Sequence, residues 1–162
     1  MLSMTEARYD DVQNVMHCMS EISLGEMEAS GVSNAWMGLK RAKRFKDKGF
    51  LKVMKDNAEP LFIFGGIEMD PGVMSTWFIG TEKYFDPANR KAAIATARAM
   101  ERTAQRMPRH VFEATTASRH ENVIRWFGML GFSFIEHKNG LMKFRYVGRK
   151  LAKAGKYASL IS

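Results

Sequence analysis

A chain of 162 residues with 46% hydrophobic and 26% charged positions can bury one sizeable core and has the composition of a soluble globular domain. No apolar run is long enough to span a bilayer, and the single cysteine, Cys18, excludes an internal disulfide. The first eleven residues are acidic and lack the basic and apolar parts of a secretory signal, so a cytoplasmic setting is expected. A net charge of +8 favours polyanionic partners: nucleic acid, a phosphate-rich cofactor or an acidic protein face. Thirteen methionines point to a plastic core rather than a metal or redox site.

Residues 1–7 read as a strand. Asp10 and Gln13 have capping-box spacing, and Val12, Val15, Met16 and Met19 follow on one helical face. The stretch LGEMEASGVSN reads as a loop with a new cap at Ser33. A second helix follows, with Ala35, Leu39, Ala42 and Phe45 inward, basic residues outward and Gly49 as its stop. FLKVMKD, PLFIFGGIEM and GVMSTWFIGT read as three strands, the last two joined at Asp70-Pro71-Gly72. A long helix is predicted with Asp86 as N-cap and Pro87 at its first position. Ala93, Ala97, Met100, Ala104 and Met107 form its apolar stripe, opposite Arg98, Arg102 and Arg106. RHVFEAT reads as a strand, SRHENVIRWFGML as a helix, and FSFIEH with LMKFRYV as a hairpin around Lys138-Asn139-Gly140. The tail from residue 147 is basic, with Arg149, Lys150, Lys153 and Lys156.

The predicted order, β-α-α-β-β-β-α-β-α-β-β, implies one α/β domain over residues 1–162 with a mixed, mostly antiparallel sheet and helices on both faces. That order resembles the acetyl-CoA-dependent N-acyltransferase (GNAT) superfamily. The segment HENVIRWFGMLGF resembles the GNAT segment in which an Asn, an apolar pair, a Tyr and a terminal Gly-Phe recur. Aligned on Gly131-Phe132, it puts Val123-Ile124 at the apolar pair, His120 at the Asn and Phe127 at the Tyr. A narrower resemblance is to the GNAT-like internal virion protein A of short-tailed bacteriophages. It rests on the paired glycines Gly65 and Gly66, then Trp77-Phe78, Thr81 and a basic helix.

The GNAT resemblance implies acetyl-CoA as cofactor, with contacts falling on Phe78, Ile79, Gly80, Asn89, Arg90, Lys91, His120 and Phe127. A diphosphate is held in that family by free backbone N–H groups at a helix start, in a glycine-rich turn. Here no glycine occurs between Gly80 and Gly128. An N-capping Asp86 would compete for the same N–H groups, and Pro87 removes one donor. Arg90 and Lys91 restore positive charge through their side chains.

Acyl transfer also needs a base and an acid. Phe127 has no proton to give, which leaves Tyr84 as a substitute acid and Glu68 or Glu113 as base. Ser118 and Glu121 fit a capping box, and His17, His110, His120 and His137 lack metal-ligand spacing, so no metal is expected.

Lys40, Arg41, Lys43 and Arg44 form a basic helix face that either is simply solvated or meets DNA without sequence specificity, an acidic acceptor or an acidic partner. The favoured expectation is a degenerate acyltransferase of phage origin, associated with virion or host proteins in the infected cytoplasm or the virion, with no membrane role. The alternative is an active acetyl-CoA-dependent N-acetyltransferase with atypical cofactor contacts.

Overall fold

The structure, a computed structural model, describes residues 1–118 and 121–154; His120 and the tail beyond Ala154, Lys156 included, lie outside the described residues. The elements are β1 (Leu2–Glu6), α1 (Tyr9–His17), α2 (Glu21–Ala29), α3 (Ala35–Lys48), β2 (Gly49–Asp56), β3 (Glu59–Asp70) and β4 (Val73–Gly80). There follow α4 (Glu82–Phe85), a 3-10 turn (Pro87–Asn89), α5 (Arg90–Arg106), β5 (Val111–Thr116), α6 (Glu121–Leu130), β6 (Phe132–Lys138), β7 (Leu141–Tyr146) and α7 (Arg149–Ala154).

The strands form one seven-stranded sheet in the order β1-β2-β3-β4-β5-β7-β6. The β4–β5 pair is parallel and the other neighbours are antiparallel. This is the mixed, mostly antiparallel sheet the sequence implies. The two predicted hairpins form where turn chemistry called for them. Gly72 has φ +77° after Pro71, and Asn139 (φ +54°) with Gly140 (φ +78°) joins β6 to β7.

The apolar run of β3 is buried on both sides. Phe62 and Phe64 face a cluster with Met100 of α5 and Ile124 and Phe127 of α6. Ile63 and Ile67 face the other cluster, with Val12 and Val15 of α1, Met27 of α2, and Ala42 and Phe45 of α3. Each such side chain contributes about 1.5–3 kcal/mol by leaving water.

Several local readings shift. Helix α1 begins at Tyr9, because the Arg8 N–H donates to the Asp11 carboxylate (2.9 Å), so the box sits two residues earlier than Asp10. The predicted loop LGEMEASGVSN is mostly helix α2, capped by Ser20, whose Oγ accepts from the Ser23 N–H (3.1 Å). Asn34, not Ser33, caps α3 by accepting from the Met37 N–H (2.9 Å), and Ala35 is exposed.

Helix α3 does stop at Gly49, but with φ −160°, so the glycine is in extended backbone and also begins β2. A side chain there would put Cβ 1.9 Å from the Gly66 carbonyl oxygen, so glycine serves close strand approach. The long helix starts at Arg90 rather than Pro87, because α4 and the 3-10 turn come first. Of its predicted stripe, Ala97 and Met100 are buried and Ala104 and Met107 pack against the same cluster, while Ala92, Thr96 and Ala99 widen the buried face. Among the described residues no helix is long and apolar enough to cross a membrane.

Candidate functional site

β4 and β5 pair in register at Val73–Val111, Met74–Phe112 and Ser75–Glu113. The Thr76 hydroxyl then donates to the Glu113 carbonyl (2.9 Å), and beyond it no ladder joins the two strands. A cavity of about 420 Å³ lies in the gap, lined by Ser75 to Phe78 and Gly80 from β4 and by Ala114 to Thr116 from β5.

Neighbouring strand residues point to opposite faces. Trp77 belongs to the cluster beneath α1–α3, against Phe45 (5.3 Å between ring centres). Phe78 lies on the other face, 5.3 Å from both the Phe64 and Trp126 rings. Both line the cavity, so residues of both side-chain clusters contribute to its wall.

Helix α2 ties the two lips of this opening together. The Gly80 N–H donates to Ser23 Oγ (3.0 Å), and the Ser20 N–H donates to the Gly80 carbonyl (3.0 Å). On the β5 side, Glu26 Oε1 accepts from the Thr116 hydroxyl and from the Ser118 N–H (3.1 Å), and Oε2 accepts from the Ala117 N–H (3.2 Å). Among the described lining residues Glu26 is the carboxylate. Sequence reasoning missed it because the stretch that bears it was read as loop.

Helix α3 supplies two cations to the same cavity, Arg41 and Arg44. Arg41 donates to Ser30 Oγ (2.8 Å) and to the Ser30 carbonyl (2.9 Å), and lies 5.9 Å from the Trp77 ring centre. Burial, and then repulsion from Arg44, push its pKa below the ordinary arginine value. Arg44 donates to the Met69 sulfur at 3.6 Å. The four basic residues grouped by the sequence thus separate. Lys40 lies 4.3 Å over the exposed Trp36 ring and Lys43 pairs with Asp47 (2.5 Å), while the two arginines line the cavity.

The predicted site residues also scatter. Phe78, Gly80 and Phe127 line the cavity; Ile79 is buried in the α1–α3 cluster. The Gly80 N–H is engaged by Ser23, and a Cβ there would lie 2.6 Å from the Phe85 ring, which packs on the bare backbone. Phe127 stacks on Phe144 with ring centres 4.8 Å apart. Asn89, Arg90 and Lys91 sit at the start of α5, outside the cavity lining. Asn89 Nδ2 donates to the Lys83 carbonyl (3.1 Å), and Lys91 approaches Asp56 (3.9 Å).

Neither base suggested by the sequence lines the cavity. Glu68 Oε1 binds the Gly72 N–H (2.9 Å) and His110 Nε2 (2.9 Å), which closes the β3–β4 turn. The Gly72 hydrogen bond, then that of His110, hold its pKa below the usual carboxylate value, which opposes a base role. Glu113 pairs with Arg145 (2.8 Å). Tyr84 is 2% exposed and lies outside the lining; its hydroxyl donates to Thr96 Oγ1 (2.8 Å) and accepts from Trp126 Nε1 (3.2 Å). Burial pushes that phenol well above its ordinary pKa.

One expectation about the cofactor turn is corrected. Asp86 Oδ1 accepts from the Ala88 N–H (2.9 Å) and so caps the short 3-10 turn. The N-cap of α5 is Asn89, which makes no side-chain capping bond. The aspartate therefore does not occupy the amides that open the long helix. Among the described residues no group of three His, Cys, Asp or Glu side chains is placed to hold a metal.

No protein-family model and no curated protein matches this sequence. Solved structures do match. The GNAT domain of PAT from S. lividans aligns with a TM-score of 0.69 at 10% identity, over 90% of this chain and 88% of that one. A spermidine N-acetyltransferase chimera from Vibrio cholerae aligns with a TM-score of 0.68 at 13% identity, over 94% and 98%. The PaiA N-acetyltransferase from Thermoplasma acidophilum, solved with coenzyme A, aligns with a TM-score of 0.66 at 6% identity, over 90% and 98%. The fold is that of the GNAT acetyltransferases. None of these structures bears on the phage resemblance.

Proposed function

We propose that the protein is an acyl-CoA-dependent N-acyltransferase working in the opening between β4 and β5. The observation that carries this reading is the cavity between the parted β4 and β5 strands, whose wall combines Phe78 and Trp126 with Glu26, Arg41 and Arg44. A cavity between parted strands gives a thioester and an amine a place to meet.

The gap is where we assign the cofactor's arm. Phe62, Phe78, Phe85 and Trp126 supply apolar walls, and the β4 and β5 edges beyond Ser75 and Glu113 are not bonded to each other. Arg90 and Lys91, in the first turn of α5, are the cations we assign to its phosphates; the start of that helix adds a favourable dipole. When bound, acyl-CoA supplies an activated acyl thioester. The chain's own task is to hold the amine and take its proton. Glu26 is assigned that role: among the described residues Oε2 accepts one hydrogen bond, from the Ala117 N–H. The departing thiolate takes a proton from water, since Phe127 has none and the Tyr84 hydroxyl is held between Thr96 and Trp126.

The test is calorimetric titration with acetyl-CoA, followed by thiol release in the presence of amines. Saturable micromolar binding supports the reading, and a flat titration sinks it.

A second reading keeps the fold without the reaction: a descendant of such enzymes acting as a virion- or host-associated phage protein. It is favoured by Phe127, whose ring is packed on Phe144 where the family carries its usual acid. On that reading acetyl-CoA does not bind at all.

A further inference from the structure

Arg41 and Arg44 lie one turn apart on α3 and both line the cavity. Arg41 is fixed by two hydrogen bonds to Ser30 and by the Trp77 face. Arg44 meets a thioether, a weak acceptor. Among the described residues no carboxylate lies within ion-pair distance of either guanidinium. Lys43, on the same helix but outside the cavity lining, is neutralised by Asp47. The cavity thus holds one anchored cation, Arg41, a second, Arg44, on a weak acceptor, and separately the Glu26 carboxylate, with no ion pair between them. Paired guanidiniums beside an apolar wall match a carboxylate or a phosphate, which can accept several N–H bonds together.

We infer that the acceptor is a small amine that also carries an anionic group, bound by Arg41 and Arg44 while its amine lies toward Glu26. This rests on the acyltransferase reading for calling the ligand an acceptor, but the anion site itself is tested without the reaction. A purely cationic amine would meet two positive charges in this cavity and be disfavoured.

The experiment titrates the full chain, with and without coenzyme A, using L-methionine, O-phosphoethanolamine and spermidine as probes. One of the first two binds at least about tenfold more tightly than spermidine, and which one does so identifies carboxylate or phosphate. Arg44→Gln and, separately, Arg41→Lys weaken that probe about tenfold or more, the loss expected for a charge-assisted contact. Lys43→Gln removes the same charge outside the cavity and has no such effect. Tightest binding by spermidine, no binding of either anionic probe, or anionic binding indifferent to both arginine variants overturns the inference. Arginine-dependent probe binding beside a flat acetyl-CoA titration would instead remove the acyltransferase reading and keep the anion site.

Discussion

The Trp126 indole donates to the Tyr84 hydroxyl across 3.2 Å, and that hydroxyl donates onward to Thr96 at 2.8 Å. This short polar chain joins α6, α4 and α5 within a shell of rings, Phe62 stacked 4.2 Å from Tyr84 among them. Tyr84→Phe leaves the indole N–H without its acceptor. The cost is about 1–3 kcal/mol of folding stability, read by urea denaturation. Turnover per folded molecule stays at the wild-type level, because the hydroxyl lies outside the cavity lining. A larger loss of turnover would return this tyrosine to the chemistry.

The same phenol makes stability depend on alkaline pH. Burial raises its pKa in the folded state, so the native chain keeps a proton that the unfolded chain releases near pH ~10. Its contribution is whole below the unfolded value and is lost as pH rises toward the folded one. Denaturation midpoints measured between roughly pH 8 and 11 therefore fall more steeply for wild type than for Tyr84→Phe. Tyr146, also raised by burial and by Glu101, contributes equally to both proteins.

Glu26→Gln separates a chemical role from a structural one. Glutamine keeps one accepting oxygen but turns a donor toward a neighbouring N–H group. If Glu26 takes the amine's proton, kcat falls by roughly 100-fold or more, while circular dichroism and acetyl-CoA affinity change little. A small change in kcat would leave Glu26 as a tether to β5 and nothing more.

Asp86→Ala and the double variant Arg90→Ala/Lys91→Ala report on the start of α5. Asp86 caps the 3-10 turn, so its loss costs about 1 kcal/mol of stability and leaves coenzyme A affinity unchanged. Tighter binding would mean that the carboxylate does compete with phosphate. The double variant weakens coenzyme A binding about tenfold or more and flattens its salt dependence. Both are measured by calorimetry at two ionic strengths.

The strands and hairpins were legible because their signals are local: Pro71-Gly72 and Asn139-Gly140 specify turns within a few residues. Helix α2 was not legible, since Gly25 interrupts it and its apolar residues keep no clear face. The cap signal Asp86-Pro87 was read correctly as a cap, but for the wrong element, because a 3-10 turn and an α-helix share the same opening chemistry. At the site, Phe78, Gly80 and Phe127 were within reach of sequence reasoning. Glu26, Arg41 and Arg44 acquire their meaning from how α2 lies against β4 and α3 against β2 and β3, which no sequence period encodes.

Gly25 sits between Ser23 and Glu26, the residues by which α2 grips β4 and β5, and its Cβ position opens on empty space. The least rigid residue of the clasp is thus at its middle. Alanine there would stiffen the helix by about 1 kcal/mol and set the spacing of the parted strands more firmly. Slower ligand entry and exit with a higher melting temperature is the expected signature, making the glycine a hinge pin for how far the seam can breathe.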